Sequence, residues 1–414
     1  MTPEVKDRIE QIRHGIVPEG YKKTKAGVVP ADWTEYAIGD CLERVERPVK
    51  VQADEMYTQI GIRSHGKGVF YKEPVTGESL GNKPVFWIEP NCFVLNIVFA
   101  WEQAIGKTTQ NEVGMIGSHR FPMYRPVDDK VDIDYLIANL MTKRGKDILE
   151  AASPGGAGRN RTLGQERFMK SKIVLPPIDE QRYIADILTA QDKVIELKEK
   201  LLAEKQRQKK YLMQQLLTGR MRLPGFDGEW MYVRANQIFR NVTDKKHNGT
   251  LEVLSATQDR GIIPRSLVDI DIKYAEESLT GYKKVVKGNF VISLRSFQGG
   301  IEYSEYSGIV SPAYTVLSSI YPIEDNYYKQ FFKSTDYINR LNIAVYGIRD
   351  GKQISYNDFG RIRIPYPPLD EQKAIAAVLE TADKEIEILK RNIEQEKQKK
   401  KALMQLLLTG IVRV

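Results

Sequence analysis

Cysteine and histidine are scarce in this chain, and their scarcity removes most routes to metal or nucleophile chemistry. The 414 residues include two cysteines, Cys41 and Cys92, and four histidines, His14, His65, His119 and His247. The cysteines stand in separate apolar contexts with no CxxC spacing, which excludes a disulfide framework or a thiolate zinc site and predicts buried free thiols. The histidines are scattered, with no HExxH pair or Cys/His cluster, so each reads as a solvated or hydrogen-bonded side chain. Apolar runs of about 18 residues, the length a membrane span needs, are missing. Residues 1–20 are charged and lack a signal core. With 42% hydrophobic and 28% charged residues and a mean hydropathy of −0.41, the composition suits a soluble, cytoplasmic protein long enough for two cores.

Phosphate and methyl-transfer signatures are absent too. Gly155-Gly156-Ala157-Gly158 has neither the Gly-Lys-Ser/Thr ending of a P-loop nor the GxGxxG order of a dinucleotide turn, and reads as a loop. The proline pairs at 176–177 and 367–368 lack the preceding Asn or Asp and following aromatic residue of the catalytic tetrapeptide of amino-methyltransferases. No catalytic residue, metal site or cofactor is expected on this chain. Lys and Arg exceed Asp and Glu by 62 to 54, a surplus that suits a polyanionic partner without requiring one.

What the chain does have is a repeat. Pro176-Pro177-Ile178-Asp179-Glu180-Gln181 returns as Pro367-Pro368-Leu369-Asp370-Glu371-Gln372, and the spacing (367 − 176 = 191) holds without a gap to Leu-Leu-Thr-Gly at 216–219 and 407–410. About half of the aligned positions are identical. A period near 190 residues is too long for a solenoid unit, so each copy carries a domain plus a helix. In the first helix, Ile184, Leu188, Ile195, Leu202, Leu212 and Leu216 recur at heptad-like spacing, and in the second Ile375, Leu379, Ile386, Ile393, Leu403 and Leu407 do so. Acidic residues follow each Pro-Pro, where the helix dipole is positive, and each helix ends at Thr-Gly. Between the helices, short β-branched and aromatic runs at 92–98, 290–294 and 314–317 read as strands. Asp32-Trp33 is answered by Glu229-Trp230, and Asn91-Cys92-Phe93-Val94 by Asn289-Phe290-Val291-Ile292, although the domain middles diverge.

The resulting architecture is mixed α/β (α+β), with two similar globular domains and two long antiparallel coiled-coil helices related by a pseudo-twofold axis. The expected divisions are 1–20, 21–174, 175–222, 223–365 and 366–414. Residues 8–17 echo 403–412 and end in the same Gly-Ile-Val, so the first segment is expected to complete the helical frame and close the order domain, helix, domain, helix into a ring.

Basic and amide side chains gather where loops are expected, in matching places of the two copies. They are Arg63, Lys67, Arg159 and Arg161 in the first, and Arg260, Arg295, Gln298, Arg349 and Lys352 in the second. Arg, Lys and Gln can read base edges or bind phosphate, although such residues are common in any solvated loop. The lysine runs at 205–210 and 397–401 read first as solvated helix faces.

The doubled Pro-Pro-x-Asp-Glu-Gln and Leu-Leu-Thr-Gly motifs, together with Val29-Pro30-Ala31-Asp32-Trp33 and Pro224-Gly225-Phe226 before the domains, resemble the DNA-specificity subunits of type I restriction-modification systems over nearly the whole chain. The resemblance implies two target-recognition domains that each read half of a bipartite double-stranded DNA target, and helices that set the gap. Implied partners are two modification (methyltransferase) subunits and restriction/translocase subunits, with S-adenosylmethionine, ATP and Mg bound by those partners. A coiled-coil protein adaptor without sequence-specific DNA binding is the main alternative, and a stand-alone fused enzyme the more remote one.

Overall fold

The computed structural model describes residues 2–25, 27–155, 161–268, 276–344 and 354–414. It divides into two compact units, residues 1–197 with 393–414 and residues 198–392, so the division falls inside both long helices.

The first unit opens with helix α1 (Pro3–Arg13), none of whose residues is fully buried, and a hairpin of β1 (Tyr21–Thr24) and β2 (Gly27–Pro30). Strand β3 (Thr34–Ala37) leads to β4 (Leu42–Val45), the hairpin β5 (Ile60–Ile62) and β6 (Val69–Tyr71), and then β7 (Phe93–Leu95), β8 (Ile105–Lys107) and β9 (Met123–Pro126). Helices α2 (Ile133–Leu140) and α3 (Lys143–Ala151) follow, and β10 (Lys172–Leu175) returns to pair antiparallel with β3. An antiparallel sheet has the order β4-β9-β7-β8. All three residues of β7 are inaccessible, because core residues cover both faces of this strand, which is why it reads as an unbroken apolar run.

The 39-residue helix α4 (Ile178–Leu216) is about 58 Å long at 1.5 Å per residue and contributes its first half to this unit. The second unit repeats the plan. Strands β11 (Met231–Arg234) and β12 (Phe239–Val242) precede the hairpin β13 (Leu254–Thr257) and β14 (Gly261–Pro264). Strand β15 (Phe290–Ile292), the one-turn helix α5 (Ser296–Gly299), β16 (Glu302–Tyr303) and β17 (Thr315–Ser319) complete the strands before helices α6 (Asp325–Phe331) and α7 (Thr335–Ala344). Strand β18 (Arg363–Tyr366) pairs with β11 as β10 does with β3, and leads into the second 39-residue helix, α8 (Leu369–Leu407). The sheet order β12-β17-β15-β16 matches that of the first unit strand for strand.

Each helix start is held by its Glu-Gln pair. In the second unit Glu371 is inaccessible and accepts bonds from Trp230 Nε1 (2.8 Å), Arg222 Nε (2.6 Å) and Arg222 Nη2 (2.8 Å). In the first, Glu180 accepts from Trp33 Nε1 (3.3 Å) and from Arg413 Nε (2.6 Å) and Nη2 (2.8 Å), while Arg413 also grips Asp32. That guanidinium holds the Asp32 carboxyl below the usual carboxylate range. Both glutamates and both arginines stand 191 residues apart (371 − 180, 413 − 222). The adjoining glutamine fastens the helix start to the following layer. Gln181 donates to Pro176 O and Lys130 O and accepts from the amide of Asp132, the cap of α2. Gln372 donates to Pro367 O and accepts from the amide of Glu324, the cap of α6.

The helix ends pack on the same tryptophans. Gly219 and Gly410 take φ of +72° and +71°, and a side chain at 410 would stand 2.5 Å from the Pro30 ring and 3.0 Å from Trp33. Gly15, after α1, adopts φ +76°, and Arg8 of α1 donates to Ile411 O and lies over the Tyr21 ring. Within each unit the two helical segments run antiparallel. Asp192 pairs with Lys400 in the first and Asp383 with Lys209 in the second, again a shift of 191, and Lys205 pairs with Glu385. Lys205, Lys209 and Lys400 therefore bridge helices, whereas Lys210, Lys397, Lys399 and Lys401 are exposed, as expected of a solvated face.

The apolar positions merge with the domain cores at the helix ends. Ile184, Leu188 and Leu407 belong to the first unit's core, and Leu216, Ile375 and Leu379 to the second's. Leu403 and Leu212 pack against these cores half-buried; Ile195, Ile386 and Ile393 are buried in the helix middles, and Leu202 is half-buried.

Three outcomes follow from this packing. Glu371→Ala strands a half-buried indole N–H and a guanidinium and should cost about 2–4 kcal/mol, read as a lowered midpoint in thermal or urea unfolding. Glu180→Ala should cost less, because Arg413 is more exposed than Arg222 (39% against 24%) and keeps Asp32, and because the Trp33 bond it loses is long at 3.3 Å. Cys41 and Cys92 are free and buried, and burial pushes both thiols up to about 11. At pH 8 neither should react with a thiol reagent in the native protein, and both should react once it is unfolded in denaturant.

Candidate nucleic-acid interface

In the first unit the β5–β6 hairpin carries Arg63 and Lys67 at its exposed tip. The tip is sewn to the segment after β7: His65 N donates to Glu102 O (2.8 Å), Gly66 N to Gln103 O (2.9 Å), and Ser64 Oγ to the Glu102 carboxylate (2.9 Å). Gln103 sits at φ +56° and donates from Nε2 to Leu140 O (2.9 Å), at the end of α2. Arg161 lies over the Trp101 ring at 5.5 Å and Arg63 over Phe70 at 4.7 Å. Such stacking holds a guanidinium in place without using its forked donors. Arg63 and Lys67 are therefore carried by the hairpin tip, and Arg161 rests on Trp101 of the segment bonded to that tip.

The second unit has the same arrangement. The tip of β13–β14 holds Gln258, Asp259 and Arg260, and the turn after β15 holds Arg295 and Gln298, both exposed. Arg260 donates to Leu267 O (3.1 Å) with its side chain half exposed. Lys333, between α6 and α7, donates to Gln258 O (3.2 Å) and Gly299 O (2.9 Å), and so joins the two candidate segments. Gly300, at φ +81°, passes so close to the α6 end that a side chain there would meet Phe332 O at 2.0 Å.

Neither face is uniformly basic, since Glu102 and Asp259 stand among the cations. A mixed set of forked donors and carboxylates suits base-edge hydrogen bonds better than sheathing of phosphates, because carboxylates repel phosphate and accept from cytosine amino groups. Arg159, Arg349 and Lys352, with Gly156, Ala157 and Gly158, lie outside the described residues. Sequence reading missed Phe70, Trp101, Gln103 and Lys333. The rings could have been suspected from their closeness to loop arginines, whereas nothing local distinguishes Lys333 from other lysines.

A separate cavity of about 600 Å³ in the first unit has an apolar floor that includes Val29, Met141 and Leu408, and a rim with Lys143, Arg144 and Lys401. Among the described residues no group of three His, Cys, Asp or Glu could hold a metal ion, and no helix is long and apolar enough to cross a membrane.

Comparison with known proteins agrees with this doubled plan. Two proteins of Methanocaldococcus jannaschii, the type I restriction enzyme MjaVIII specificity subunit and the specificity subunit assigned to enzyme MjaX, are each 25% identical to this chain. Each alignment covers 96% of this chain, and 96% and 97% of the respective relatives. The solved HsdS subunit from Thermoanaerobacter tengcongensis shares the fold at a TM-score of 0.53 and 20% identity, over 93% of this chain and 98% of its own. A chain from a structural study of type I R-M complex assembly does so at 0.58 and 20% identity, over 93% and 99%. The family model for the type I restriction modification DNA specificity domain matches twice, at residues 30–205 and 228–397, and the chain belongs to that family.

Proposed function

We propose that this specificity subunit reads a bipartite double-stranded DNA target, one half with each unit, while α4 and α8 fix the gap between the halves. The observation that carries the reading is the same pair of candidate segments, hairpin tip and post-strand turn, built on the same strand order in both units, with different residues at each tip. A repeated frame with different readers suits a target whose halves differ in sequence.

In this reading the chain performs no chemistry. Two modification subunits supply S-adenosylmethionine and methyl transfer, restriction subunits supply ATP- and Mg-dependent translocation and cleavage, and assembly takes place in the cytoplasm around the helical frame, which α1 completes. The apolar cavity with its basic rim, together with Tyr183, Val194 and Leu197 exposed on α4, supports docking of an acidic, apolar segment of a modification subunit on the first unit.

Replacing residues 223–363 with the equivalent part of another family member should change one half of the methylated sequence and leave the other half intact. An unchanged target would refute the division of labour. Arg260→Ala should cost about 1–3 kcal/mol on the cognate target and relax one base position if that guanidinium reads a base, and should weaken all sequences alike if it holds phosphate, as measured by DNA-binding titrations at several salt concentrations. Lys143→Glu combined with Lys401→Glu should weaken capture of the modification subunits at least tenfold in a titration. Salt-insensitive assembly with no sequence-dependent methylation would favour the adaptor reading instead.

A further inference from the structure

One lysine of the second unit, which the proposed function does not itself require, bonds both reading segments to the turn between α6 and α7. Lys333 is half-buried in the turn between α6 and α7, and its ammonium uses all three donors. One reaches Gln258 O at the β13–β14 tip (3.2 Å), one Gly299 O in the turn after β15 (2.9 Å), and one the carboxylate of Glu302 on β16. Glu302 is 2% exposed, and among the described residues its Oε2 has no hydrogen-bond partner. Burial raises its pKa, which Lys333 opposes.

A buried ion pair of this kind is weak evidence for stability, because two packed apolar side chains would serve a core as well. What apolar side chains could not do is bond the carbonyls of two separate loops at once. The first unit ties the same three segments by other means: backbone bonds from the hairpin tip to Glu102 O and Gln103 O, and the Gln103 amide to Leu140 O before α3. Gln103 and Gly300 hold the same place after the central strand, 197 residues apart like Phe93 and Phe290 (300 − 103, 290 − 93), and both have positive φ. Two domains with divergent middles thus reach the same linkage with different chemistry, so the shared requirement is the mutual register of hairpin tip and turn.

We infer that Lys333 is a positioning residue for target recognition, holding Arg260 on the hairpin and Arg295 and Gln298 on the turn in one fixed arrangement so that they read adjacent parts of one half-site. The inference rests on the reading of the second unit as a target-recognition domain.

The test uses the full chain assembled with its modification subunits, and methyl transfer from S-adenosylmethionine to duplexes carrying single-base changes in either half of the target. Lys333→Met is combined with Glu302→Gln, so that no uncompensated charge is left buried. The expected result is at least a tenfold loss of discrimination (the ratio of kcat/KM on cognate and changed duplexes) in the half read by the second unit, with discrimination in the other half kept within twofold. The same pair of changes at the exposed Lys329–Glu305 ion pair of this domain, Lys329→Met with Glu305→Gln, should leave both ratios unaltered. Unchanged discrimination in the Lys333 double variant, or an equal fall in both halves, would overturn the inference. A wild-type complex that discriminates in neither half would instead overturn the reading of the domain on which it rests.

Discussion

One buried carboxylate holds the start of each long helix to its domain. Glu180 and Glu371 each receive an indole N–H from the residue that opens the domain and a forked guanidinium from the segment that follows the end of the other helix. A buried carboxylate is tolerable only with such partners, so the pairing dictates that domain start, helix start and helix end meet at one point. The adjoining glutamines extend the point to the caps of α2 and α6. Helix direction, the β3–β10 and β11–β18 pairs and the seat of each sheet all refer to this lock.

With the lock in place, the rest of each unit can vary. The sheet order is the same in both, yet the cores differ: the second unit concentrates Phe239, Phe290, Tyr328, Phe331 and Phe332 in one aromatic cluster, while the first relies more on aliphatic side chains. The hairpin tips are distant in sequence from the lock residues, and there the two copies share geometry without sharing residues. A protein that must present different readers on one frame keeps its buried polar contacts constant and lets exposed tips drift.

Much of this was legible in the chain. The 191-residue shift, the long helices and the central strands at Phe93 and Phe290 follow from period and composition, because helix and strand periodicity is written within a few residues. Most of each lysine run is exposed as read, but a helical net cannot tell which neighbour stands opposite, and Lys209 and Lys400 face aspartates on the antiparallel segment. Of the candidate contacts, Arg63, Lys67, Arg260, Arg295 and Gln298 stand on hairpin tips or turns, as turn-forming neighbours suggested, but the rings under Arg63 and Arg161 were not foreseen.

The sequence by itself determined that there are two copies, where their helices begin and end, and that each copy carries one mixed domain, because each of these is a local or self-comparative property. Only the tertiary structure decided what the repeated glutamates bind, which lysines bridge helices, and that Lys333 gathers two loops. Those bonds join residues as far as 147 and 233 positions apart, and chain-distant partners are chosen by the packing of whole elements, which no short stretch of residues records.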